Sequence, residues 1–213
     1  MKAKKIIGLL ILVLMIASLL LTSCRSEDGS SMHLLQMEDG AVPGTGIINP
    51  DSEVRGVWVA SVFNIDYPSR SGLDVQELKA ELDSLLETCT ANNLNTIYFQ
   101  VRPSCDALYD SEIFPVSSFI SDNGKLEFDP LEYLVKEGHL RNIFVHAWVN
   151  PLRVTVSEAV EENLPDDSPA KKHPEWTVKY ADGKIYLNAG LPEVRGLVAD
   201  GVREIVEKYD VDG

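Results

Sequence analysis

Two hydrophobic periods take turns along the chain once residue 53 is passed. Val54-Arg55-Gly56-Val57-Trp58-Val59-Ala60-Ser61-Val62-Phe63 is rich in β-formers and runs into the polar, proline-punctuated stretch Asn64 to Ser69, so it predicts a first strand and a loop. Leu78, Leu82, Leu85, Leu86 and Cys89 then recur at helical spacing, which predicts a helix over about 75–92 with Asp74 as its cap. Thr96 to Val101 reads as a second strand stopped by Pro103, and Asp129-Pro130 opens a second helix that runs to about Leu140. Ile143 to Val149 is a third strand, halted at Asn150-Pro151. A hairpin is expected from Trp176 to Leu187 around Ala181-Asp182-Gly183. Pro192 opens a third helix to about Lys208, and Val211-Asp212-Gly213 reads as the start of a fourth strand.

Strands that alternate with helices require crossover connections and build a parallel sheet. An open dinucleotide-binding sheet would carry a glycine-rich turn after its first strand. Here that turn is Asn-Ile-Asp-Tyr-Pro-Ser, and no Walker-type loop is present. The expected fold class is therefore α/β, a (β/α)8 TIM-type barrel. Residues 54–213 supply only about its first half: three β-α units and the start of strand four. A barrel needs ~250 residues. Three parallel strands with an open edge are expected to be aggregation-prone and inactive if expressed alone.

The pattern before residue 54 is different. Lys2, Lys4 and Lys5 precede the apolar run Ile6 to Leu21, which is short for a membrane span and suited to a signal peptide. Leu21-Thr22-Ser23-Cys24 resembles a bacterial lipobox, in which the cysteine is lipidated and becomes the new terminus; an ordinary secretion signal or an uncleaved anchor are the alternatives. The expected organisation is a lipoprotein signal peptide over 1–23, a flexible tether over 24–53 and the globular part over 54–213. Lipidation at Cys24 would fix the protein to the bacterial membrane, facing outside the cytoplasm.

Charge and metal-ligand chemistry narrow the function classes. The chain carries a formal charge of -14, and loss of residues 1–23 would remove three lysines and no acid. Such a surface repels nucleic acid. Cys89 and Cys105 fit no zinc spacing; Cys89 lies on the apolar stripe and reads as a buried thiol, although an exported protein could form a disulfide. His33, His139, His146 and His173 make no metal motif. No cofactor and no metal are expected.

In a parallel α/β protein, ligands gather at the carboxyl ends of the strands. The polar residues placed there are Asn64 and Asp66 after strand one and Gln100 and Arg102 on strand two, with Tyr98 expected on the same face. Asp106 follows, then His146 and Trp148 on strand three, then Asn150 and Arg153. Both long connections, 102–129 and 150–191, leave from this end. Amides, Arg, Asp and His suit sugar hydroxyls, while Trp148, Tyr67, Tyr109 and Trp176 offer flat surfaces for sugar rings. Each residue also has a purely structural reading. Gln100 and Asn150 can satisfy backbone groups at strand ends, Trp148 can be core, and Arg102 can pair with Asp106.

Several segments in order resemble one family. These are Arg55-Gly56-Val57-Trp58-Val59, Asn64 to Ser69, Phe99-Gln100-Val101-Arg102-Pro103-Ser104 with Asp106-Ala107-Leu108-Tyr109, and His146 to Pro151 with Arg153. His173-Pro174-Glu175-Trp176, Pro192 to Arg195 and Tyr209 to Gly213 continue the series. Together they resemble glycosyl-hydrolase-like family 10, whose members are bacterial surface lipoproteins and secreted proteins with a (β/α)8 barrel. The resemblance implies action on glycan chains, including peptidoglycan strands stripped of their peptides. Two residues depart from the pattern: Cys105 stands where Thr or Gly is common, and Ala189 where Asn/Asp-Pro-Gly is usual. The family's acidic Asp-Asp-Tyr-like motif would follow Gly213.

Glycoside cleavage ordinarily needs two carboxyl groups, ~5 Å apart for retention or ~6.5–9.5 Å for inversion. Nothing in the sequence pairs Asp66, Asp106 or Glu175 in that way. Asn64, Asp66, Gln100, Arg102, Asp106, His146, Trp148, Asn150 and Arg153 are therefore expected to bind substrate, with the catalytic acids C-terminal to Gly213. The leading expectation is a lipid-anchored surface glycoside hydrolase acting on peptidoglycan or another polysaccharide. A non-catalytic surface carbohydrate-binding lipoprotein is the alternative, and the scattered histidines argue against a metal-dependent deacetylase.

Overall fold

The computed structural model describes residues 53–159 and 164–213. The expected signal peptide, the expected lipidation site Cys24 and the expected tether up to residue 52 lie outside the described residues.

Three strands form a parallel sheet in the order β1 (Gly56–Val59), β2 (Thr96–Arg102), β3 (Phe144–Val149). Helices α1 (Val75–Ala91) and α2 (Pro130–His139) make the crossovers and pack against each other, so both cover the same sheet face. Ile97, Phe99, Val101 and Val145 point into that layer, where they meet Leu78, Leu82, Leu86, Leu131 and Leu134. Each helix start follows from its sequence. Asp74 accepts the Glu77 N–H while the Glu77 carboxylate accepts the Asp74 N–H, a reciprocal capping box. Asp129 accepts from the Leu131 and Glu132 N–H groups, and Pro130 occupies a first-turn position that needs no donor.

The first strand is shorter than its β-rich sequence predicts. After Val59 the backbone groups are taken by side chains and a turn instead of a neighbouring strand. Asp66 Oδ2 accepts the Ala60 N–H at 2.8 Å, and Gln100 Oε1 accepts the Ser61 and Val62 N–H groups at 3.0 Å each. Val62–Asn64 then forms a short 3₁₀ turn in which Phe63 and Asn64 adopt left-handed backbone angles, φ 56° and 53°.

The two long connections are folded. Within 103–129, Ala107 bridges Val116, and Leu108, Tyr109, Phe114 and Ile120 are buried. The second connection holds a short helix α3 (Pro169–Lys172) and the expected hairpin, β4 (Thr177–Lys179) with β5 (Ile185–Leu187), antiparallel. Residues 152–155 run along β5: Leu187 N–H donates to Leu152 O and Val154 N–H to Ile185 O. Helix α4 (Pro192–Lys208) follows. Glu204 on α4 ties down the first connection, accepting from the Ser111 hydroxyl and the Glu112 N–H, both at 2.6 Å.

Residues 211–213, expected to begin a fourth strand, lie against the free edge of β3. Asp212 N–H donates to Val145 O at 2.9 Å and Ala147 N–H to Gly213 O at 2.8 Å. The Asp212 carboxylate also accepts the Val145 N–H and meets His139 Nε2 at 2.9 Å. The Cys89 and Cys105 thiols are both buried and free, as the apolar stripe suggests for Cys89. Among the described residues no helix is long and apolar enough to cross a membrane.

Candidate functional site

The sheet face opposite the helices is aromatic. Trp58, Tyr98 and His146 occupy one register row across the three strands. Adjacent parallel strands bring such a row close enough for its side chains to touch. Tyr98 stacks on Trp58 with centroids 4.6 Å apart, and His146 lies tilted against Tyr98 at 4.9 Å. Trp148, one alternation further along β3, meets Trp58 edge-on at 5.1 Å. Trp58 is 60% exposed. Gly56 makes the stack possible: a Cβ there would fall 2.8 Å from Tyr98 Cε2. The ring can lie flat only because β1 offers bare backbone beneath it.

The polar residues at the carboxyl ends divide into two groups. Asn150 and Arg153 continue the aromatic face. Trp148 Nε1–H donates to Asn150 Oδ1 at 3.0 Å, Asn150 Nδ2–H donates to Pro103 O at 3.2 Å, and Arg153 Nη1 approaches the same carbonyl at 3.5 Å. Asn64, Asp66 and Gln100 are engaged with backbone. Asn64 Nδ2–H donates to Pro68 O and Phe119 O, both at 2.8 Å, joining the first two loops. Asp66 is exposed, with one carboxylate oxygen on Ala60 N–H. Gln100 is fully buried, its Oε1 spent on Ser61 and Val62, while Nε2 has no partner.

Arg102 does not share the face of Tyr98 and Gln100. The β2–β3 register shifts between Gln100 and Arg102. Such a bulge breaks the strict alternation that the sequence reading used. The side chain instead packs over Phe114, 4.3 Å from the ring centroid, and beside Gly201 of α4. It is 1% exposed, and neither Nη1 nor Nη2 has a hydrogen-bond partner. Its charge is felt by Tyr109, whose hydroxyl is pushed up to about 12 chiefly by burial, with Arg102 opposing the rise. No salt bridge joins Arg102 to Asp106.

Asp106 accepts the Ser104 N–H at 2.9 Å. Desolvation raises its carboxyl above the usual range, against the pull of the hydrogen bonds from Ser117 and Ser104 and the nearby Arg102 charge. Burial likewise pushes the Cys105 thiol up to about 11, so it is not a ready nucleophile. No group of three or more His, Cys, Asp or Glu side chains among the described residues could hold a metal ion.

Trp58 and Gly56 escaped the sequence reading of the site. The signal was available: Trp58 lies on the strand at the spacing that faces away from Val57 and Val59. It was hidden because the register that sets it beside Tyr98 depends on β2. Of the other aromatics named from sequence, Tyr67 packs on Phe99 and Tyr109 is buried under α4's layer, both within the core. Trp176 stacks on His173 at 3.9 Å.

The fold and this face define a class: a parallel α/β protein whose sheet carries, opposite its helices, an aromatic platform edged by amide and guanidinium groups. The chain belongs to the family Glycosyl hydrolase-like 10, which it matches over residues 53–213. It is 39% identical over 174 residues to glycosyl hydrolase YngK of Bacillus subtilis strain 168, a match covering 81% of this chain and 34% of that protein. Glycosyl hydrolase DigH of Escherichia coli K12 is 31% identical over 221 residues, covering 94% of this chain and 49% of that protein. The chain thus spans between a third and a half of the length of these relatives. Among solved structures, a maltogenic α-amylase AmyB from Thermotoga neapolitana overlaps 74% of this chain and 37% of its own, at 20% identity and a TM-score of 0.42.

Proposed function

We propose that this chain is part of a lipid-anchored surface glycoside hydrolase that acts on cell-envelope glycan, such as peptidoglycan strands, or on another polysaccharide. The observation that carries the reading is the aromatic row Trp58–Tyr98–His146 with Trp148, continued by Asn150 and Arg153. Flat rings bind the C–H faces of sugars, and amide and guanidinium groups bind hydroxyls directionally. Family membership supports the same substrate class. In this reading β1 to β3 are the first strands of a (β/α)8 barrel and the aromatic row lines its interior. Sequential strand order with both crossover helices on one face supports that arrangement.

The chain spans a third to a half of its relatives' length, and this reading places the catalytic carboxylates in the remainder of such a protein. Asp66 and Asp106 are both already held by backbone N–H groups. That same observation favours the second reading, a surface carbohydrate-binding lipoprotein without catalysis. Release of reducing ends from peptide-free glycan strands by the intact gene product separates the two. Turnover that falls at least tenfold in Trp148→Ala supports the hydrolase. Binding without turnover supports the binder, and neither binding nor turnover on any glycan overturns both.

The anchor rests on Leu21-Thr22-Ser23-Cys24 after the apolar run. With Cys24→Ala, incorporation of a labelled fatty acid is expected to vanish and the protein to leave the membrane fraction, since two or more acyl chains are needed for stable anchoring. Unchanged labelling would overturn it.

A further inference from the structure

We propose that the β4–β5 hairpin carries a second carbohydrate subsite, distal to the sheet face, so that the site takes an extended glycan chain and not a single sugar; this rests on the glycan-binding reading above. The hairpin and residues 152–155 form a small antiparallel sheet. One side is core: Ile185, Leu187 and Val154 are buried. The other side is set by register. Val178 pairs with Tyr186, and Arg153 bridges Tyr186 from the other flank. Residues directly opposite one another share a face, so Val178, Tyr186 and Arg153 form one row. The Tyr180 N–H donates to Lys184 O, continuing the alternation and adding Tyr180 to the same side.

A water-facing side of an antiparallel sheet should be polar. Here Tyr180 is 60% exposed and Val178 42%. Tyr180 and Tyr186 meet edge-on with centroids 5.1 Å apart, so each ring packs against the other. An aromatic pair of one exposed and one half-buried ring, flanked by a guanidinium, is the same chemistry as the sheet face, and the two are joined. Trp148 bonds Asn150, Asn150 and Arg153 converge on Pro103 O, and Arg153 lies opposite Tyr186. The contacts therefore run without a break from Trp58 to Tyr180. Among the described residues no carboxylate pairs with Arg153, whereas the neighbouring Lys184 is bound to Asp182 at 3.0 Å. Its guanidinium, with Nη1 on Pro103 O, lies between the two aromatic groups, where hydroxyl or carboxylate oxygens of a chain would pass.

The test compares the intact protein with Tyr180→Ala, Tyr180→Phe and Trp148→Ala in binding long peptide-free murein strands and purified disaccharide from the same strands. The Tyr180 ring is on the surface, so unchanged thermal unfolding is the fold control. Tyr180→Ala is expected to weaken long-strand binding about tenfold, a loss of ~1.4 kcal/mol, and disaccharide binding less than twofold. Tyr180→Phe should restore the long-strand affinity because the ring, not the hydroxyl, does the stacking. Trp148→Ala should weaken both ligands. If Tyr180→Ala leaves long-strand affinity unchanged while Trp148→Ala lowers it, the distal subsite is wrong and the glycan reading stands. A change confined to self-association in Tyr180→Ala also overturns the subsite. Failure of every form to bind either ligand sinks the subsite and the glycan reading together.

Discussion

Gly201→Ala is expected to destabilise the fold by about 1–3 kcal/mol, whereas Gly196→Ala in the same helix is expected to stabilise it by up to ~1 kcal/mol. Alanine in a helix interior normally wins over glycine because it limits the freedom of the unfolded chain. Around Gly196 nothing lies within 4 Å of an added Cβ, so only that gain remains. At Gly201 the added carbon would sit 2.3 Å from Arg102 Nη1 and 2.7 Å from Phe114 Cε2. Neither group can give way easily. Arg102 is buried and stacked on Phe114, which is itself buried. The loss by overpacking therefore exceeds the propensity gain. Thermal or urea unfolding of the two variants side by side is the measurement, and equal shifts of the same sign would contradict the packing described for Arg102.

Gln100→Leu is expected to cost about 2–4 kcal/mol, since the buried Ser61 N–H loses its acceptor at ~1–3 kcal/mol and the half-buried Val62 N–H loses the same acceptor at a smaller cost. The side chain is fully buried, and Oε1 serves Ser61 and Val62 together at 3.0 Å. Leucine fills similar space but accepts nothing. The damage should be local before it is global: those amides stop β1 and start the turn that carries Asn64 and Asp66. Hydrogen exchange at Ser61 and Val62 should accelerate more than at Ile97 or Phe99, and the urea midpoint should fall. Protected Ser61 and Val62 amides in the variant would show that another acceptor replaces Gln100.

How much of this was legible beforehand depends on how far each determinant lies along the chain. Helix α1 was readable to within a residue because its cap Asp74, its partner Glu77 and the leucine stripe are all local. Asp129-Pro130 and the Ala181-Asp182-Gly183 turn were readable for the same reason. The end of β1 was not. Its residues favour strand as far as Phe63, but a glutamine side chain 39 positions away takes the amide of Ser61. Arg102 was misplaced by a register shift that only pairing with β3 creates. Within the candidate site, the amides and the indole of Trp148 could be listed from strand ends. Their division into residues holding backbone (Asn64, Asp66, Gln100) and residues on the aromatic face (Trp148, Asn150, Arg153) required the hydrogen bonds themselves.

The aromatic face also gives the molecule a built-in optical reporter. The chain has three tryptophans. Two of them, Trp58 and Trp148, touch at 5.1 Å with planes at 85°, and the third, Trp176, is stacked on His173. The first pair lies in a ring cluster on the sheet face and the last against an imidazole, so emission from the sheet face and from the second connection is expected to differ. A sugar settling on Trp58 would alter the former and leave the latter as an internal standard, which lets occupancy of the face be followed on the unlabelled protein.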